Sequence, residues 1–378
     1  MIQKAWAPRL PLGPMCVQLP VYNEPARVSG AIRAVCQLDW PKELLEVLVL
    51  DDSDDESFSA IADEIAHQRT EGFRIQLLRR GGRQDYKAGA LQQGLRATTA
   101  EYIAIFDVDF RPAPSFLRQG VAVLAADPTL AFVQARLEFR NRAQNWLTRA
   151  QGLEQDIHYA YEQAARCWSG VPMMFNGTCG IWRRAAIVQA GGWSAHTLGE
   201  DQDLSWRALS HGWNSLLLFS VTVDGELPSS IQSLLRQRAR WAKGATQAAR
   251  AIPQKLLRRL SWDRAVAFCL LTAFNTAAAP LLVLLMALAV LSAIVASDAV
   301  WNLLYCLLGP LVVIVTARTA AAAMAANALG RHMGGSFWKE VGAMWILQAL
   351  LVPTSAVAFV QGLFWKGGDF VRTPKGEC

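Results

Sequence analysis

Charge is scarce in this sequence. Of its 378 residues only 18% are Asp, Glu, Lys or Arg, against about 25% in ordinary soluble domains, while 52% are hydrophobic. The deficit is uneven: charged residues are plentiful up to Arg264, and between residues 265 and 365 only Asp298, Arg318, Arg331, Lys339 and Glu340 occur. A water-soluble domain followed by a membrane region accounts for that distribution. A long run of basic residues is also missing, and the excess of 37 basic over 31 acidic residues is modest. Nucleic acid is therefore not an expected partner, whereas anionic lipid or a phosphorylated substrate is. The seven cysteines are odd in number and scattered, with no C-x-x-C pair and no histidine at ligand spacing, which argues against a disulfide framework and a zinc site. Residues 1–14 lack the continuous apolar core of a signal peptide, so the soluble part is expected in the cytoplasm. Internal repeats are absent and glycine and proline are dispersed, which excludes solenoid, collagen-like and low-complexity architectures.

From residue 15 onward, short apolar runs alternate with helical periods. Strands are expected at 16–21, 47–50, 75–78, 102–106 and 131–135, and helices at 26–38, 58–67, 87–98 and 115–126. This alternation implies βαβ units and a Rossmann-like α/β domain with a mostly parallel sheet. Ligands of such sheets sit at the carboxyl ends of the strands. Two strands end there in carboxylates: one runs into Asp51-Asp52, the other into Asp107-Val108-Asp109. Residues 144–166 have helical spacing, 170–182 read as a turn region, and 232–250 as a basic amphipathic helix bordering anionic headgroups. Three apolar stretches follow. Residues 265–296 and 301–316 are long enough to span a bilayer, and the positions of Arg318, Arg331 and Lys339 make them a hairpin with both ends cytoplasmic. The third, 341–365, is interrupted by Pro353-Thr354-Ser355 and is expected to be a bent interfacial or re-entrant element, a simple third span being the alternative. The expected organisation is a catalytic-type domain at 15–250, a membrane region at 251–365 and a tail at 366–378.

Asp107 and Asp109 lie two residues apart, so strand alternation would point them the same way, toward one hard cation such as Mg²⁺ or Mn²⁺. Alone, such a pair is more often a solvated turn, and Asp51-Asp52 could simply cap a helix. Lys87-Ala88-Gly89 opens a helix whose free N–H groups suit a phosphate. Glu200-Asp201 could be no more than a favourable helix N-terminus. Gln237-x-x-Arg240-Trp241 would be an ordinary basic helix if it stood alone.

In this order, however, residues 18–24 (QLPVYNE), Asp51-Asp52, Lys87-Ala88-Gly89, Asp107-x-Asp109, Glu200-Asp201 and Gln237-x-x-Arg240-Trp241 resemble the family 2 glycosyltransferases. The likeness extends to their membrane-integrated, cellulose-synthase-like branch, particularly β-mannan synthases, through Phe175-Asn176-Gly177-Thr178, Gly191-Gly192-Trp193, Asp203-Leu204 and Glu226-Leu227-Pro228. The resemblance implies a GT-A-type fold, a nucleotide-sugar donor (UDP-glucose or GDP-mannose class), a Mg²⁺ or Mn²⁺ cofactor and inversion at the anomeric carbon. It implies that Asp51 or Asp52 binds the nucleoside, Lys87 the base or diphosphate, and Asp107 with Asp109 the diphosphate and metal. Asp201, with Glu200 beside it, is then the general base, and Arg240 helps neutralise the diphosphate. Asn176, Gly177, Gln237 and Trp241 line the acceptor end, and the tail with Thr373 and Lys375 is similar to a gating loop over the nucleotide. The implied activity is processive synthesis of a β-linked glucan or mannan at the cytoplasmic face of a bacterial inner membrane. Single transfer to a lipid acceptor and an inactive scaffold subunit are the alternatives, and accessory or export subunits cannot be read. Two positions depart from the pattern: Asp85 stands where a glycine or small residue is expected, and Gly199 replaces a Thr or Val. Members of the family usually carry a membrane helix before the catalytic domain and others after the gating loop, whereas this sequence starts near its first strand and ends at Cys378.

Overall fold

A computed structural model describes residues 12–295 and 298–365. Its described residues divide into two compact units. The first comprises residues up to Glu138, Arg166–Glu226 and Ala251–Ala265, and it holds the sheet. β1 (Met15–Val21), α1 (Pro25–Cys36), β2 (Leu45–Asp51), α2 (Ser57–Thr70), β3 (Arg74–Arg79), α3 (Tyr86–Ala97) and β4 (Tyr102–Ile105) form the expected alternation. β5 (Arg111–Pro112), α4 (Phe116–Ala126) and β6 (Leu130–Phe139) follow. After a helical segment over residues 146–169 come β7 (Gly180–Arg183), α7 (Arg184–Gln189), α8 (Glu200–Ser210) and β8 (Asn214–Gly225).

The sheet order is β3-β2-β1-β4-β7-β6-β8-β5. Its first four strands are parallel, and their register brings Val21, Asp51 and Arg79 to one edge. β2 and β4 are almost wholly buried, which is why they read as continuous apolar runs rather than alternating ones. Beyond β4 the pairings β4·β7, β6·β7 and β5·β8 are antiparallel, so the sheet is mixed. β8 has no counterpart among the sequence-based expectations, since its Leu216-Leu217-Leu218 run lacks strict alternation. The core on this side is aromatic: the fully buried Trp182 ring lies 4.5 Å from Phe132, 5.5 Å from Phe175 and 6.1 Å from Trp193.

The second unit comprises Phe139–Ala165, Leu227–Arg250 and the residues from Val266. α5 (Trp146–Asp156) starts with a reciprocal cap, in which the Asn145 side chain accepts from Thr148 N–H at 2.9 Å and the Thr148 hydroxyl accepts from Asn145 N–H at 3.0 Å. It continues as a π-helical segment (Ile157–Gln163) and α6 (Ala164–Ser169). α9 (Ile231–Arg250), α10 (Gln254–Arg259), α11 (Trp262–Val295), α12 (Asp298–Ala328) and α13 (Gly335–Phe364) complete the order, α10 lying in the first unit. Leu147, Leu153 and Ile157 pack with Leu234, Ala322, Phe337, Met344 and Leu351 in one apolar cluster. That cluster gathers residues 139–165 and 227–250 into the helical unit, so the compact units do not follow the boundary at residue 250 expected from the sequence.

The expected interruption at Pro353 is not present. α13 runs unbroken through it, with Val341, Met344, Leu347 and Leu351 buried before the proline and Ala356, Ala358 and Gly362 after it. Packing on both sides offsets the backbone hydrogen bond that proline denies to the Ala349 carbonyl, a loss of about 3 kcal/mol in an unsupported helix. Among the described residues, Leu311–Ala328 and Gly335–Phe364 are long and apolar enough to cross a membrane.

Replacing Trp182 by Ala should destabilise the first unit by about 3–5 kcal/mol, because a full aromatic side chain is removed from a site with no solvent access. Chemical denaturation of the purified protein measures this, and an unchanged midpoint would contradict the packing described.

Candidate functional site

The carboxyl ends of β1, β2 and β4 carry the residues singled out by the sequence. β1 leaves the sheet through Tyr22-Asn23-Glu24, and Asn23 takes a left-handed backbone conformation (φ 53°). From there its N–H donates to the Ser53 hydroxyl at 2.9 Å and its side-chain amide to Asp54 Oδ1 at 2.7 Å, tying the first two loops together. Asp51 is fully buried; its Oδ1 accepts the Ser53 N–H at 2.9 Å, and its Oδ2 lies 3.5 Å from Arg79 Nε. Asp52 is gripped by Arg80, whose Nε donates to Oδ1 at 2.7 Å and whose Nη2 reaches the other oxygen. Each member of this acidic pair thus has its own arginine.

Asp107 lies two residues past the end of β4, and its N–H donates to the Thr178 hydroxyl at 2.9 Å. A turn closed by Phe110 N–H on the Asp107 carbonyl (3.1 Å) carries Asp109. Strand alternation does not govern this pair, because the strand has ended: the turn leaves Asp107 about one-third exposed and Asp109 buried. Lys87, in the first turn of α3, donates to Asp107 Oδ1 at 2.6 Å and to the Gly177 carbonyl at 3.0 Å. Burial works against its charge, but Asp107, Glu200 and Asp201 together outweigh burial and hold the ammonium above its usual range.

Gly177 brings the third carboxylate in. Its φ is +79°, and a Cβ there would stand 3.0 Å from Asp201 Oδ2 and 3.8 Å from Lys87 Nζ. Asp201 lies in the first turn of α8, where its Oδ1 accepts the Gln202 N–H at 2.8 Å. Burial first, and the negative charge of neighbouring Glu200 second, push its carboxyl up to about 7. Ser205 locks the segment, donating to the Asp201 carbonyl at 2.6 Å while accepting the Phe175 N–H at 2.9 Å. Asn176 N–H is held by Gln134 Oε1 at 3.0 Å. Lys87, Asp107, Gly177 and Asp201, separated by up to 114 positions in the sequence, therefore meet in one cluster.

Other expected residues lie elsewhere. Gln237, Arg240 and Trp241 are on α9 in the second unit; Gln237 is buried, and the half-exposed Trp241 ring lies under the Arg238 guanidinium at 5.0 Å. Thr373 and Lys375 fall outside the described residues. Asp203, part of the Glu200-Asp201-x-Asp203 motif, pairs with Arg207 at 2.7 Å, and Arg207 in turn holds the Gly192 carbonyl at 2.9 Å, a structural link. The departure at Asp85 has a backbone meaning: its φ is 61°, a left-handed conformation that Asp adopts more readily than most residues other than Gly. Arg80 is a contact the motif pattern did not single out; an arginine directly after a strand that pairs with the acidic strand was the available signal for it.

A mixed sheet whose first four strands are parallel, with carboxylates beyond its strand ends and a lysine on the Asp-x-Asp turn, defines a Rossmann-like, GT-A-type fold. More particularly, residues 16–189 match the model of the family "Glycosyl transferase family 2" and form a domain of that family. Among similar proteins, a probable glucomannan 4-beta-mannosyltransferase 11 of Arabidopsis thaliana is 40% identical over 246 residues, covering 64% of this chain and 56% of the relative. A probable glucomannan 4-beta-mannosyltransferase 7 of Oryza sativa subsp. japonica is 41% identical over 245 residues, 64% of this chain and 42% of that one. The chain thus spans about half the length of the curated relatives it matches. In fold it resembles a mannosyltransferase of Pyrobaculum calidifontis solved in complex with GDP-Man and Mn2+, with a TM-score of 0.62 at 21% identity over 93% of this chain and 88% of the other.

The electrostatics of Asp201 can be measured directly. Carbon-13 carboxyl NMR should find it titrating near 7, and Glu200→Gln should lower that midpoint by removing the adjacent negative charge. The folded state then keeps a proton that the unfolded chain has already released, so this group makes stability fall as pH rises from its ordinary 3.8 toward 7. An Asp201 midpoint near 4 in the wild-type protein would contradict the assignment.

Proposed function

We propose that the chain is an inverting, metal-dependent hexosyltransferase that passes mannosyl units from GDP-mannose to a growing β-1,4-linked glycan, processively, at the cytoplasmic face of a membrane. The observation that carries the reading is the approach of Asp201 to the Lys87–Asp107 pair across Gly177. A nucleophile-activating base and a cationic group for a departing diphosphate are the two functions such a transfer requires. The names of the relatives, glucomannan 4-beta-mannosyltransferases, support the choice of sugar and linkage.

In the reaction, the acceptor hydroxyl oxygen bonds to the anomeric carbon while the bond from that carbon to the diphosphate oxygen breaks. The Asp201 carboxylate takes the hydroxyl proton. A carboxyl pushed up to about 7 suits a base working near neutral pH. Displacement on one side of the ring turns an α-linked donor into a β-linkage without a covalent sugar intermediate, so no second carboxylate nucleophile is needed. Lys87 meets the charge that builds on the leaving group. Asp107 and Asp109 offer two hard oxygen donors on one turn, and among the described residues no larger group of His, Cys, Asp and Glu gathers around them. This donor set would suit a Mg²⁺ or Mn²⁺ ion, hard cations that take oxygen ligands. Such an ion, held by Asp107 and Asp109, would further neutralise the leaving diphosphate. Gln237, Arg240 and Trp241 are proposed to serve the acceptor end, the Trp ring giving a sugar an apolar face.

Membranes containing the protein, given labelled GDP-mannose and Mn²⁺, should yield a polymer that a β-1,4-mannan hydrolase digests; chelation should abolish it. Asp201→Asn should reduce transfer by roughly a thousandfold or more while GDP-mannose still binds, the loss expected when a general base and its charge are both removed. One sugar per lipid molecule would replace the polymer reading by lipid glycosylation, and undiminished output from Asp201→Asn would overturn catalysis by this residue.

A further inference from the structure

Arg80 has no part in the chemistry above, yet its guanidinium makes four hydrogen bonds. Besides both oxygens of Asp52, it donates from Nη1 to the Gln84 carbonyl at 2.6 Å and from Nη2 to the Tyr86 carbonyl at 2.9 Å. The backbone between those carbonyls is strained: Asp85 has φ 61° and Tyr86 φ 47°, two consecutive left-handed residues, one of them bulky. Lys87 comes next in the chain, so this turn sets where its ammonium stands. Gly89 completes the arrangement. A Cβ there would collide with the Arg80 guanidinium and lie 2.5 Å from the Gln84 carbonyl oxygen and 3.0 Å from Asp85 Cβ.

We propose that Arg80 is a positioning residue for donor binding: one guanidinium fixes the Asp52 carboxylate and clamps the strained turn that delivers Lys87 to Asp107. The inference rests on the glycosyltransferase reading and extends it to a residue whose four hydrogen bonds are to Asp52, Gln84 and Tyr86. Its physical content is twofold. Asp52 is kept as an oriented, charge-compensated acceptor for the nucleoside instead of a bare anion repelling the diphosphate. The turn, which Tyr86 would not adopt unaided, is held before the donor arrives, so binding need not supply the ordering. Glycine at 89 is required because the clamp passes over it.

Calorimetric titration of GDP with Mn²⁺ into the purified full chain tests this. Arg80→Ala should weaken GDP binding about tenfold or more, equivalent to about 1.4 kcal/mol, and raise the KM for GDP-mannose while leaving the KM for acceptor unchanged. Gly89→Ala should reproduce the loss. Arg80→Lys, which keeps the charge but cannot fork, should recover only part of it. Asp52→Asn added to Arg80→Ala should cost no more than about a further twofold, as expected when two residues act through one contact. Asp85→Gly added to Arg80→Ala should restore part of the affinity, since glycine takes a positive φ without support. GDP affinity unchanged in Arg80→Ala, losses that multiply in the double variant, or no rescue by Asp85→Gly would overturn the proposal even with an active wild type. A wild-type chain that binds neither GDP nor UDP with Mn²⁺ would instead overturn the glycosyltransferase reading, and this inference with it.

Discussion

The ammonium of Lys87 is the constraint on which the first unit's site depends. It bonds the Asp107 carboxylate and the Gly177 carbonyl, and the field of Asp107, Glu200 and Asp201 keeps it charged despite burial. Three separate chain segments, α3, the turn after β4 and the loop ahead of β7, are held together at one point. Asp201 comes close to that point because residue 177 has no side chain and a backbone conformation that side chains disfavour. The carboxylates are therefore not independent: a change at Lys87 alters the charge balance of Asp107 and Asp201 together.

The sheet makes that arrangement possible. Parallel pairing of β1 with β2 and β4 puts their carboxyl ends on one side, and the first antiparallel partner of β4 is β7, in register with Gly180 opposite Ile105. The loop of residues 175–179 thereby arrives next to Asp107, with Thr178 receiving the Asp107 N–H. Gln134 on β6 anchors the same loop from the other side, through its bonds to Asn176 N–H and the Thr178 carbonyl. A buried aromatic group around Trp182 supports this part of the sheet. The switch from parallel to antiparallel pairing is thus what gathers the acidic turn and the Gly177 loop.

Much of this was legible in the sequence, and what was not has physical reasons. The parallel strands and their helices were readable because fully buried strands give uninterrupted apolar runs and the intervening helices give clear periods. Asp107, Lys87 and Asp201 stood out as carboxylates and a lysine at element ends. The pairings of β6, β7 and β8 were not readable, since antiparallel register is decided by partners far along the chain. Pro353-Thr354-Ser355 read as an interruption of the third apolar stretch, but with burial on both sides α13 runs through it. The arginines that hold Asp51 and Asp52 went unread, because it takes the register of β3 against β2 to set Arg79 opposite Asp51, with Arg80 next in the chain. Likewise the grouping of 139–165 and 227–250 with the later helices follows from one shared apolar cluster, which no local composition announces.

The most direct test of the account is a crystallographic or cryo-electron microscopic structure of the chain with GDP and Mn²⁺, the ion located by anomalous scattering or by density. The account predicts the ion against the Asp107 and Asp109 carboxylates, with the diphosphate turned toward Lys87 and Asp201 left free of metal. Nucleotide bound away from the Asp107 turn, with the Lys87–Asp107 contact undisturbed, would contradict it.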